Sequence, residues 1–324
     1  MGYAIASHLA RYEHLRRQIR LLCQNKATCL NFAKKGIDVH QIDYTHPHQL
    51  SVAMRGVDQL ILAVGHEKDR VLYAEHLCDM AAKSGIQSII CISHVGAVSD
   101  SHESLQQYAL IEDFVINSDL QWTILRPDWV HQQFHLWAPY VEKYRRWPLP
   151  MPDNAEICPI DISDVCKVVE ELVLDTSSKT LRALDDYHVD QVYTLTGPQA
   201  VTGKQLVDLL TKATGFQKFE YQLTRAMDLG YYLHDLKKDI WFDARIKQEN
   251  AQIYRDTLDG YAYRSKSFGP PTATQIQTYL DYFDWVTKTA SSICVPHASL
   301  ITSLPSRPIR KFFQENANSF KPRV

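Results

Sequence analysis

Short apolar runs that alternate with helical stretches constrain the fold of this chain more than any other feature. Residues 58–64 and 86–92 are almost entirely apolar, and residues 72–83 between them have helical periodicity. Such runs are typical of parallel strands that are covered by helices on both faces of a sheet. The chain is therefore predicted to form an α/β fold with a mostly parallel sheet and right-handed crossover connections.

The same alternation of apolar runs and helical stretches continues as far as Pro127 and is lost after it. Further strands are predicted at 18–23, 36–42, 122–126 and 192–196, and further helices at 105–117 and 203–214. Several prolines between Pro148 and Pro159 predict loops, and Asp161 is predicted to cap a helix. Residues 224–284 have a mainly helical pattern rich in aromatic residues, which is typical of a smaller lobe over the sheet.

Three regions are predicted from these changes. Residues 1–127 form the α/β core, and residues 128–285 hold the remaining sheet elements together with the mainly helical lobe. In residues 286–324 the periodicity is lost and basic residues outnumber acidic ones. This basic tail is therefore predicted to be mobile or loosely docked.

Composition excludes several classes of protein. A net charge of −2 over 324 residues gives no electrostatic case for nucleic acid or a membrane surface as a partner. No apolar stretch approaches the length of a transmembrane helix, and no signal peptide is recognised. Seven cysteines without CxxC spacing indicate reduced thiols in the cytosol. The chain is therefore predicted to be a soluble, cytoplasmic protein.

A predicted helix starts at the second residue of the chain. Gly2 to Leu9 has the pattern of the last glycine and the first helix of a dinucleotide-binding βαβ unit, whose strand and earlier glycines are expected before Gly2. That strand would lie centrally, between the strands near Leu21 and Leu62. Its loss would remove buried apolar side chains worth about 1.5–3 kcal/mol each. We therefore expect an incomplete gene model, and we expect a chain that truly begins at Met1 to bind a dinucleotide poorly.

Sequence motifs spread over most of the chain point to one family. The most specific are Thr-Ile-Leu-Arg-Pro at residues 123–127 and Leu-Thr-Gly-Pro at residues 195–198, and Gly-Tyr-Ala-Ile-Ala at residues 2–6 opens the first helix. With these landmarks, residues 2–285 resemble the NmrA-like family of atypical short-chain dehydrogenase/reductases. The resemblance implies a doubly wound Rossmann domain that binds NAD(P), with a C-terminal lobe for a substrate or a protein partner.

The resemblance also implies which residues hold the dinucleotide: Gly2, Tyr3, Gln24, Lys26, Asp43, Val64, Gly65 and Ser93. NADPH-dependent members place an arginine where this chain has Gln24, because a guanidinium grips the 2′-phosphate of the cofactor. Lys26 either supplies the positive charge instead or is an ordinary solvated lysine. Asp43 fits the adenine side of the site, and it equally fits the capping of a loop. NADP(H) is predicted in preference to NAD(H).

Candidate catalytic residues are fewer. Many short-chain dehydrogenases use a serine, a tyrosine and a lysine four residues after the tyrosine, where the lysine lowers the tyrosine pKa. In this chain Ser93 and Tyr108 match the first two residues, but Glu112 stands where the lysine would be, and a carboxylate disfavours the tyrosinate. Tyr108 is therefore either a catalytic residue or an aromatic residue of the helix surface.

His131 is a third candidate, since the family lines its substrate cleft just after the Arg-Pro segment. His131 and His135 lie one helical turn apart, a spacing that can bind zinc. No third ligand accompanies them, and no metal site is predicted. The neighbouring Trp129 and Phe134 either contact a planar substrate or belong to the core.

Two functions follow from the resemblance. The first is an NAD(P)H-dependent reductase of a small substrate, such as an aromatic carbonyl or a quinone. The second is a dinucleotide-binding redox sensor without turnover, which reports to a regulatory protein partner and could also act in the nucleus. The missing catalytic lysine and the basic tail favour the sensor, whereas the aromatic residues after Pro127 favour the enzyme. If Met1 is the true start, a third function is that of a scaffold that does not bind the cofactor.

Overall fold

The computed structural model describes residues 1–175, 177–236, 270–289 and 293–322. The β-strands are β1 (Arg20–Cys23), β2 (Asp38–Gln41), β3 (Gln59–Leu62), β4 (Ser88–Ile92), β5 (Gln121–Pro127), β6 (Arg146–Leu149), β7 (Glu156–Ile157), β8 (Gln191–Leu195), β9 (Val201–Thr202) and β10 (Glu220–Leu223). The α-helices are α1 (Gly2–Leu9), α2 (Leu30–Lys34), α3 (Pro47–Met54), α4 (Arg70–Lys83), α5 (Glu103–Ile116), α6 (Ala138–Tyr144), α7 (Ile162–Val173), α8 (Gly203–Thr214), α9 (Ala226–His234), α10 (Ala273–Thr289), α11 (His297–Thr302) and α12 (Ile309–Glu315).

Most of the strands pair in parallel. Strands β3, β4, β5 and β8 make a four-stranded sheet in that order, and β1 pairs with β2 in a second sheet. β4 is buried along its whole length, as expected of a strand that has helices on both faces. The predicted α/β fold with parallel strands is confirmed.

Alternate residues of β4 show the two layers of helices. Ile89 and Cys91 pack in one hydrophobic cluster with residues of α3, α4 and α5, whereas Ile90 and Ile92 pack in another with residues of α1 and α7. Because successive side chains of a strand point to opposite faces, the four-stranded sheet is covered on both sides. This is the doubly wound arrangement that the sequence predicts.

The β1–β2 sheet and the four-stranded sheet share no hydrogen bonds among the described strands. Within that part of the chain, β1 is paired only with β2, and β3 only with β4, so each has one unpaired edge. Leu22 of β1 nevertheless packs in the same hydrophobic cluster as Leu60 and Leu62 of β3. The sequence predicts a further strand between these two segments, and this stays a prediction.

Several local predictions are confirmed. The helix before β2 ends next to Gly36, whose φ of +85° is a conformation that glycine adopts without strain. Asp161 caps α7, since its side chain accepts a hydrogen bond from the backbone N–H of Ser163 at 2.8 Å. α8 has the predicted bounds and begins with a capping box between Thr202 and Gln205.

The passage predicted to be loops contains strands that the sequence analysis missed. Arg146–Leu149 forms β6 and pairs in parallel with β10, and β7 pairs antiparallel with β9. Pro148 is tolerated because β6 has one described partner, which leaves an open edge where a missing N–H costs nothing. Trp147 of β6 is fully buried and stacks on Trp137. These prolines therefore belong to an ordered lobe.

The helical lobe predicted for residues 224–284 contains α9 and α10, which pack against each other. Residues 237–269 of this prediction lie outside the described residues. None of the helices in the described ranges has both the length and the apolar character needed to cross a membrane.

The terminal segment, predicted to be mobile or loosely docked, contributes to the core of the lobe. Phe312, Phe313 and Phe320 are at most 2% exposed and lie in the same hydrophobic cluster as Trp147. The helices of this segment, α11 and α12, have six and seven residues. Helices this short give no readable periodicity, which is why the sequence analysis found no order there.

Candidate functional site

Loops at the carboxyl ends of the parallel strands form the candidate site. Gly65 follows β3, Ser93 and His94 follow β4, and Asp128 follows β5. Strands that run parallel end at the same edge of a sheet, and doubly wound folds carry their ligand crevice at this edge. Side chains that converge there are therefore candidates for ligand contacts.

A buried arginine holds the loop after β3. Arg70 begins α4, and its guanidinium donates to the carbonyl oxygens of Gly65 at 2.7 Å and Ser104 at 2.5 Å. Its Nε donates to Oε1 of Gln107 at 2.9 Å, and its Cζ lies 4.4 Å from the ring centroid of Tyr108. Burial lowers the pKa of Arg70 below its ordinary value. These four partners are neutral, and the carboxylate of Asp281 acts on Arg70 through its charge.

Four aromatic side chains, His94, Tyr108, Trp129 and Tyr282, pack beside this loop and form what we call the aromatic cluster. His94 stacks on Tyr108 with ring centroids 5.2 Å apart and meets the edge of Tyr282 at 5.6 Å. Tyr282 in turn stacks on Trp129 at 5.5 Å. The hydroxyl of Tyr108 donates to the carbonyl oxygen of Gly65 at 3.0 Å, which ties the cluster to the end of β3.

His94 is a neutral imidazole within this cluster. Its Nδ1 accepts a hydrogen bond from the backbone N–H of Gly96 at 2.9 Å, which assigns the ring proton to Nε2. Burial, with a smaller contribution from the charge of Arg70, lowers the pKa of His94 to about 3. The ring therefore stays neutral at physiological pH and offers an N–H donor.

Ser93 makes a different contact from the one that a catalytic serine–tyrosine pair would need. Its hydroxyl donates to the carboxylate of Glu112, and Arg126 donates to the same carboxylate at 2.9 Å and 2.5 Å. The hydroxyl of Tyr108 is directed instead to Gly65, and burial raises the pKa of Tyr108 above its usual range. Participation of Ser93 and Tyr108 in catalysis stays a prediction.

Asp128 fixes the loop after β5. Its Oδ1 accepts hydrogen bonds from the hydroxyl of Tyr282 at 2.5 Å and from the backbone N–H of Trp129 at 2.7 Å. Its Oδ2 accepts from the backbone N–H of Cys158 at 3.0 Å. Burial raises the pKa of Asp128, although these hydrogen bonds act in the opposite direction. The carboxyl group thus positions two members of the aromatic cluster.

The residues predicted to contact the adenosine end follow the strands of the smaller sheet. Gln24 and Lys26 are exposed in the loop after β1. Asp43 follows β2, and its carboxylate accepts from the hydroxyl of Thr45 at 2.7 Å and from the backbone N–H of Thr45 at 2.9 Å. These hydrogen bonds lower the pKa of Asp43. The loop-capping alternative for Asp43 is therefore observed, and its contact with a cofactor stays a prediction.

Gly2 and Tyr3 open α1 beside the end of β3. A Cβ atom added to Gly2 would lie 3.4 Å from Cβ of Ala63, so the helix begins in contact with this strand end. The ring of Tyr3 meets the edge of Phe32 with centroids 4.8 Å apart. Val64 directly follows Ala63. Gly2 thus contacts the end of β3, and Tyr3 contacts α2, the helix that precedes β2.

His131 is fully buried. Its Nε2 lies 2.8 Å from the carbonyl oxygen of Pro159, its Nδ1 lies 3.5 Å from Asp161, and the ring packs beside Phe312. His135 is also buried. Within residues 1–175, 177–236, 270–289 and 293–322, no group of three or more His, Cys, Asp or Glu side chains is arranged to hold a metal ion. Catalysis by His131 stays a prediction.

Four residues of the site, His94, Asp128, Arg70 and Tyr282, were missed from the sequence. His94 had a usable signal, because it directly follows Ser93 at the end of a predicted strand. Asp128 likewise follows the Thr-Ile-Leu-Arg-Pro motif. Arg70 gave no signal, since nothing in a single sequence distinguishes a buried arginine from an exposed one at the start of a helix.

The fold of this chain matches that of known proteins. The chain has the α/β fold of Rossmann-like NAD(P)-binding reductases, with its candidate site at the carboxyl edge of the parallel strands. Residues 2–145 match a family model described as NAD(P)H-binding.

Known proteins with similar sequences or structures include three reductases. The NAD(P)H azoreductase of Xenophilus azovorans is 22% identical over 197 residues, which are 60% of this chain. The match spans 65% of that protein, which is less than two thirds of its length. Quinone oxidoreductase 2 of Escherichia coli strain K12 is 24% identical over 274 residues, which are 82% of this chain and 90% of that protein. The crystal structure of the Citrobacter sp. triphenylmethane reductase complexed with NADP(H) has a TM-score of 0.73 at 14% identity, covering 98% of this chain and 96% of that one.

Proposed function

We propose that this protein is an NAD(P)H-dependent reductase of a small planar substrate of the quinone or azo type. The observation that carries the proposal is the aromatic cluster beside Gly65 and Ser93, at the sheet edge where this fold binds its ligands. Trp129 and Tyr282 are at most 2% exposed and belong to the core of the lobe, so the half-buried ring of His94 is the part of the cluster on which a planar substrate can stack. Relatives named azoreductase and quinone oxidoreductase support the same substrate class.

The residues at this edge fit one end of a dinucleotide. Glycine at position 65 leaves the loop without a side chain, where a Cβ atom would lie 3.4 Å from the Tyr108 hydroxyl. The backbone of Val64 and Gly65 and the turn at Ser93 would hold the nicotinamide, and Gln24 with its neighbours the adenosine end. When bound, the reduced nicotinamide supplies the hydride. The protein contributes orientation and a site shielded from water.

His94 supplies a hydrogen bond to the substrate, while the proton that completes the reduction comes from water, because a neutral imidazole keeps its Nε2 proton at physiological pH. Its Nε2–H donates to the oxygen or nitrogen of the substrate that becomes negative during reduction. The buried guanidinium of Arg70 stabilises the same negative charge, because no ion-pair partner is hydrogen-bonded to it among the described residues. Tyr108 keeps its proton and stacks on the ring of His94.

Oxidation of NADPH in the presence of quinones and azo dyes tests the proposal. We expect turnover with at least one member of these two classes. The variant His94→Phe keeps an aromatic ring but has no N–H donor, so its kcat is expected to fall about 100-fold while its affinity for NADPH stays within about twofold. His48→Phe makes the same change at an exposed position of α3 and serves as the matched control.

The two parts of this proposal fail in different ways. Binding of NADPH without turnover of any quinone or azo dye would reject the enzyme. Turnover by wild type together with full activity of His94→Phe would reject only the role of His94.

We further propose that the cofactor is NADP(H), with Lys26 as the positive charge that faces the 2′-phosphate. Support comes from the exposure of Lys26 directly after β1. The variant Lys26→Glu is expected to weaken NADP⁺ binding about tenfold and to leave NAD⁺ binding unchanged. Lys34→Glu, which changes an exposed lysine of α2, is the control. Equal affinities of the wild type for NADP⁺ and NAD⁺ would reject this proposal.

A dinucleotide-binding redox sensor with a regulatory protein partner is the second candidate. The observation that favours it is that the hydroxyls of Ser93 and Tyr108 both make hydrogen bonds within the protein, to Glu112 and Gly65. A sensor binds NADPH and NADP⁺ with different affinities and does not turn them over. Titration of both forms, beside the turnover assay, separates the two candidates.

The strand predicted before Gly2 is kept as a proposal. It is supported by the unpaired edges of β1 and β3 and by the hydrophobic cluster that contains Leu22 and Leu60. A version that carries the codons upstream of Met1 tests it. We expect a higher melting temperature and tighter NADPH binding than for the version that starts at Met1, and equal values would reject the proposal.

A further inference from the structure

The loop that joins β4 to α5, which we call loop 93–102, begins at the candidate site and ends against another helix. Ser93 and His94 open this loop, and His102 is its last residue before α5. Ser99 and His102 are 6% and 7% exposed, so both are buried. The proposed function uses only the first residues of the loop and gives no role to His102.

His102 joins this loop to α10. Its Nε2 lies 2.8 Å from Oδ2 of Asp284, and its Nδ1 lies 2.7 Å from the hydroxyl oxygen of Ser99. Burial alone would raise the pKa of Asp284, but hydrogen bonds from Lys288 and His102 lower it. An ionised carboxylate only accepts hydrogen bonds, so Asp284 fixes the proton of His102 on Nε2. Nδ1 of His102 then accepts from the Ser99 hydroxyl.

Backbone hydrogen bonds continue this connection as far as His94. The backbone N–H of Ser99 donates to the carbonyl oxygen of Gly96 at 2.9 Å. The backbone N–H of Gly96 in turn donates to Nδ1 of His94 at 2.9 Å. The Asp284 side chain is 47% exposed, so a carboxylate at the surface of α10 is linked to the imidazole of the candidate site through His102 and the turn of the loop.

The turn that carries Gly96 is packed closely between His94 and α5. A Cβ atom added to Gly96 would lie 2.9 Å from a methyl carbon of Leu105 and 3.1 Å from Nδ1 of His94. A displacement of this turn therefore moves the N–H that holds the His94 ring. His94 also meets the edge of Tyr282, which like Asp284 belongs to α10. α10 thus reaches His94 both directly and through the loop.

We propose that His102 is a positioning residue of the site, which acts through the turn that joins it to His94. Held by Asp284 and Ser99, the His102 ring fixes loop 93–102. The N–H of Gly96 then keeps His94 in the tautomer that carries its proton on Nε2. The catalytic consequence rests on the proposed function, in which this Nε2–H binds the substrate, whereas the control of the tautomer does not.

A displaced turn changes both the protonation and the placement of the His94 ring. Without the Gly96 N–H, either ring nitrogen of a neutral imidazole can carry the proton. Only the form with the proton on Nε2 offers the proposed donor to the substrate. A misplaced group costs up to about 100-fold in rate, and for a partial loss of this contact we expect kcat to fall about tenfold.

Nuclear magnetic resonance of the full-length protein labelled with ¹⁵N-histidine tests the tautomer without any substrate. A long-range ¹H–¹⁵N spectrum separates protonated from unprotonated ring nitrogens, and the signals of His94 among the 14 histidines are those that His94→Phe removes. For wild type we expect an unprotonated Nδ1 and a protonated Nε2. In Ser99→Ala the two signals of His94 are expected to move toward each other, because the two tautomers then exchange.

Variants at a half-exposed position of α10 separate positioning from folding. Asp284→Ala removes the acceptor of His102 and is expected to move the His94 signals in the same direction, whereas Asp284→Asn keeps an acceptor oxygen and should keep the wild-type signals. Ser101→Ala is the matched control, since Ser101 is exposed and its hydroxyl lies farther from Nδ1 of His102, at 3.2 Å. Unchanged His94 signals in both Ser99→Ala and Asp284→Ala would overturn the proposal.

Steady-state kinetics tests the catalytic consequence. Ser99→Ala is expected to lower kcat about tenfold and to leave KM and the affinity for NADPH within about twofold. In the His94→Phe background the same substitution should change kcat less than about twofold, because it acts through the His94 ring. An equal loss in both backgrounds would overturn this action through His94. Displaced His94 signals in a protein that turns over no quinone or azo dye would reject the proposed function and leave the positioning of His94 standing.

Discussion

Glu112 shows how one residue changes the chemistry that this fold can carry. In the catalytic pattern a lysine at this position would lower the pKa of Tyr108. Here the Glu112 carboxylate instead binds Arg126 and the hydroxyl of Ser93, and burial raises the pKa of Tyr108. The carboxylate therefore links the end of β4 with α5 and β5. The hydrogen-bond donor that we propose for the substrate is then the next residue along, His94.

Glu170 of α7 shows how a single carboxylate makes stability depend on pH. Its Oε2 accepts hydrogen bonds from His8 and, at 2.5 Å, from Arg11. Its Oε1 accepts a hydrogen bond from the Tyr12 hydroxyl at 2.6 Å. Burial alone would raise its pKa, but the hydrogen bonds from His8 and Tyr12 and the charge of Arg11 prevail and lower the pKa to about 2. All three partners lie on or just after α1. The carboxylate therefore anchors α1 to α7.

The variant Glu170→Gln is expected to lose about 2 kcal/mol of unfolding free energy at neutral pH. The folded pKa lies below the unfolded value of about 4.3, so the stabilisation is complete above that value and is lost as the pH falls toward 2. The variant should therefore show a shallower loss of stability below about pH 5 than the wild type. Urea denaturation at several pH values measures both effects.

A matched control separates this effect from the loss of a charge. Glu75→Gln makes the same change at an exposed position of α4 and is expected to stay within about 0.5 kcal/mol of wild type. Parallel stability curves for wild type and Glu170→Gln between about pH 5 and 3 would contradict the role of Glu170.

At the level of elements, the sequence predicts helices and strands that have a clear hydrophobic periodicity and misses those that lack one. The strands of the parallel sheets and the helices α4, α5 and α8 are confirmed within a few residues, because each is long or apolar enough to show a pattern. The pairing of β6 with β10 joins segments about 70 residues apart, and Trp147 is buried against rings from distant parts of the chain, such as Phe313 and Phe320. Local pattern carries no information about such contacts.

Gly197 of the Leu-Thr-Gly-Pro motif has a role at this level, because it lets the end of β8 touch the segment before α7. A Cβ atom at this position would lie 2.1 Å from the carbonyl oxygen of Pro159, and a backbone atom cannot easily move aside. We expect Gly197→Ala to lower the unfolding free energy by about 2 kcal/mol or more. Thermal and urea denaturation measure this loss.

Gly230→Ala provides the comparison within a helix. Its added Cβ would make an ordinary contact of 3.4 Å with Leu280, and alanine in the interior of α9 should gain about 0.5–1 kcal/mol. If both variants changed stability to the same extent, the close approach at Gly197 would not be the cause.

At the scale of the whole molecule, the site is less predictable than the fold. The carboxyl edge of the sheet follows from the order of strands, so Gly65 and Ser93 could be assigned to it from the sequence. The hydrogen-bond partners of the Ser93 and Tyr108 hydroxyls could not be assigned from the sequence. They depend on the neighbouring Arg70 and Arg126, which reach the site from other elements. Single-sequence patterns place backbone at a site better than they orient side chains within it.

The terminal segment connects the last residues of the chain to the core of the lobe. Phe313 of α12 is fully buried, stacks on Phe134 and meets the edge of Trp147 at 5.7 Å. A mobile tail would tolerate truncation of this side chain, whereas a packed one would lose its burial and leave a cavity. We expect Phe313→Ala to cost about 3–5 kcal/mol, measured by urea denaturation.

Leu300→Ala is the control in the same segment, because Leu300 is 69% exposed and its truncation should change stability by less than about 0.5 kcal/mol. The unfolding of wild type should follow one transition whether it is recorded by tryptophan fluorescence, to which Trp147 of the lobe core contributes, or by the circular dichroism of the helices. If the tail were only loosely docked, both variants would match wild type. A large loss in Phe313→Ala alone would show that α12 helps to hold the lobe together.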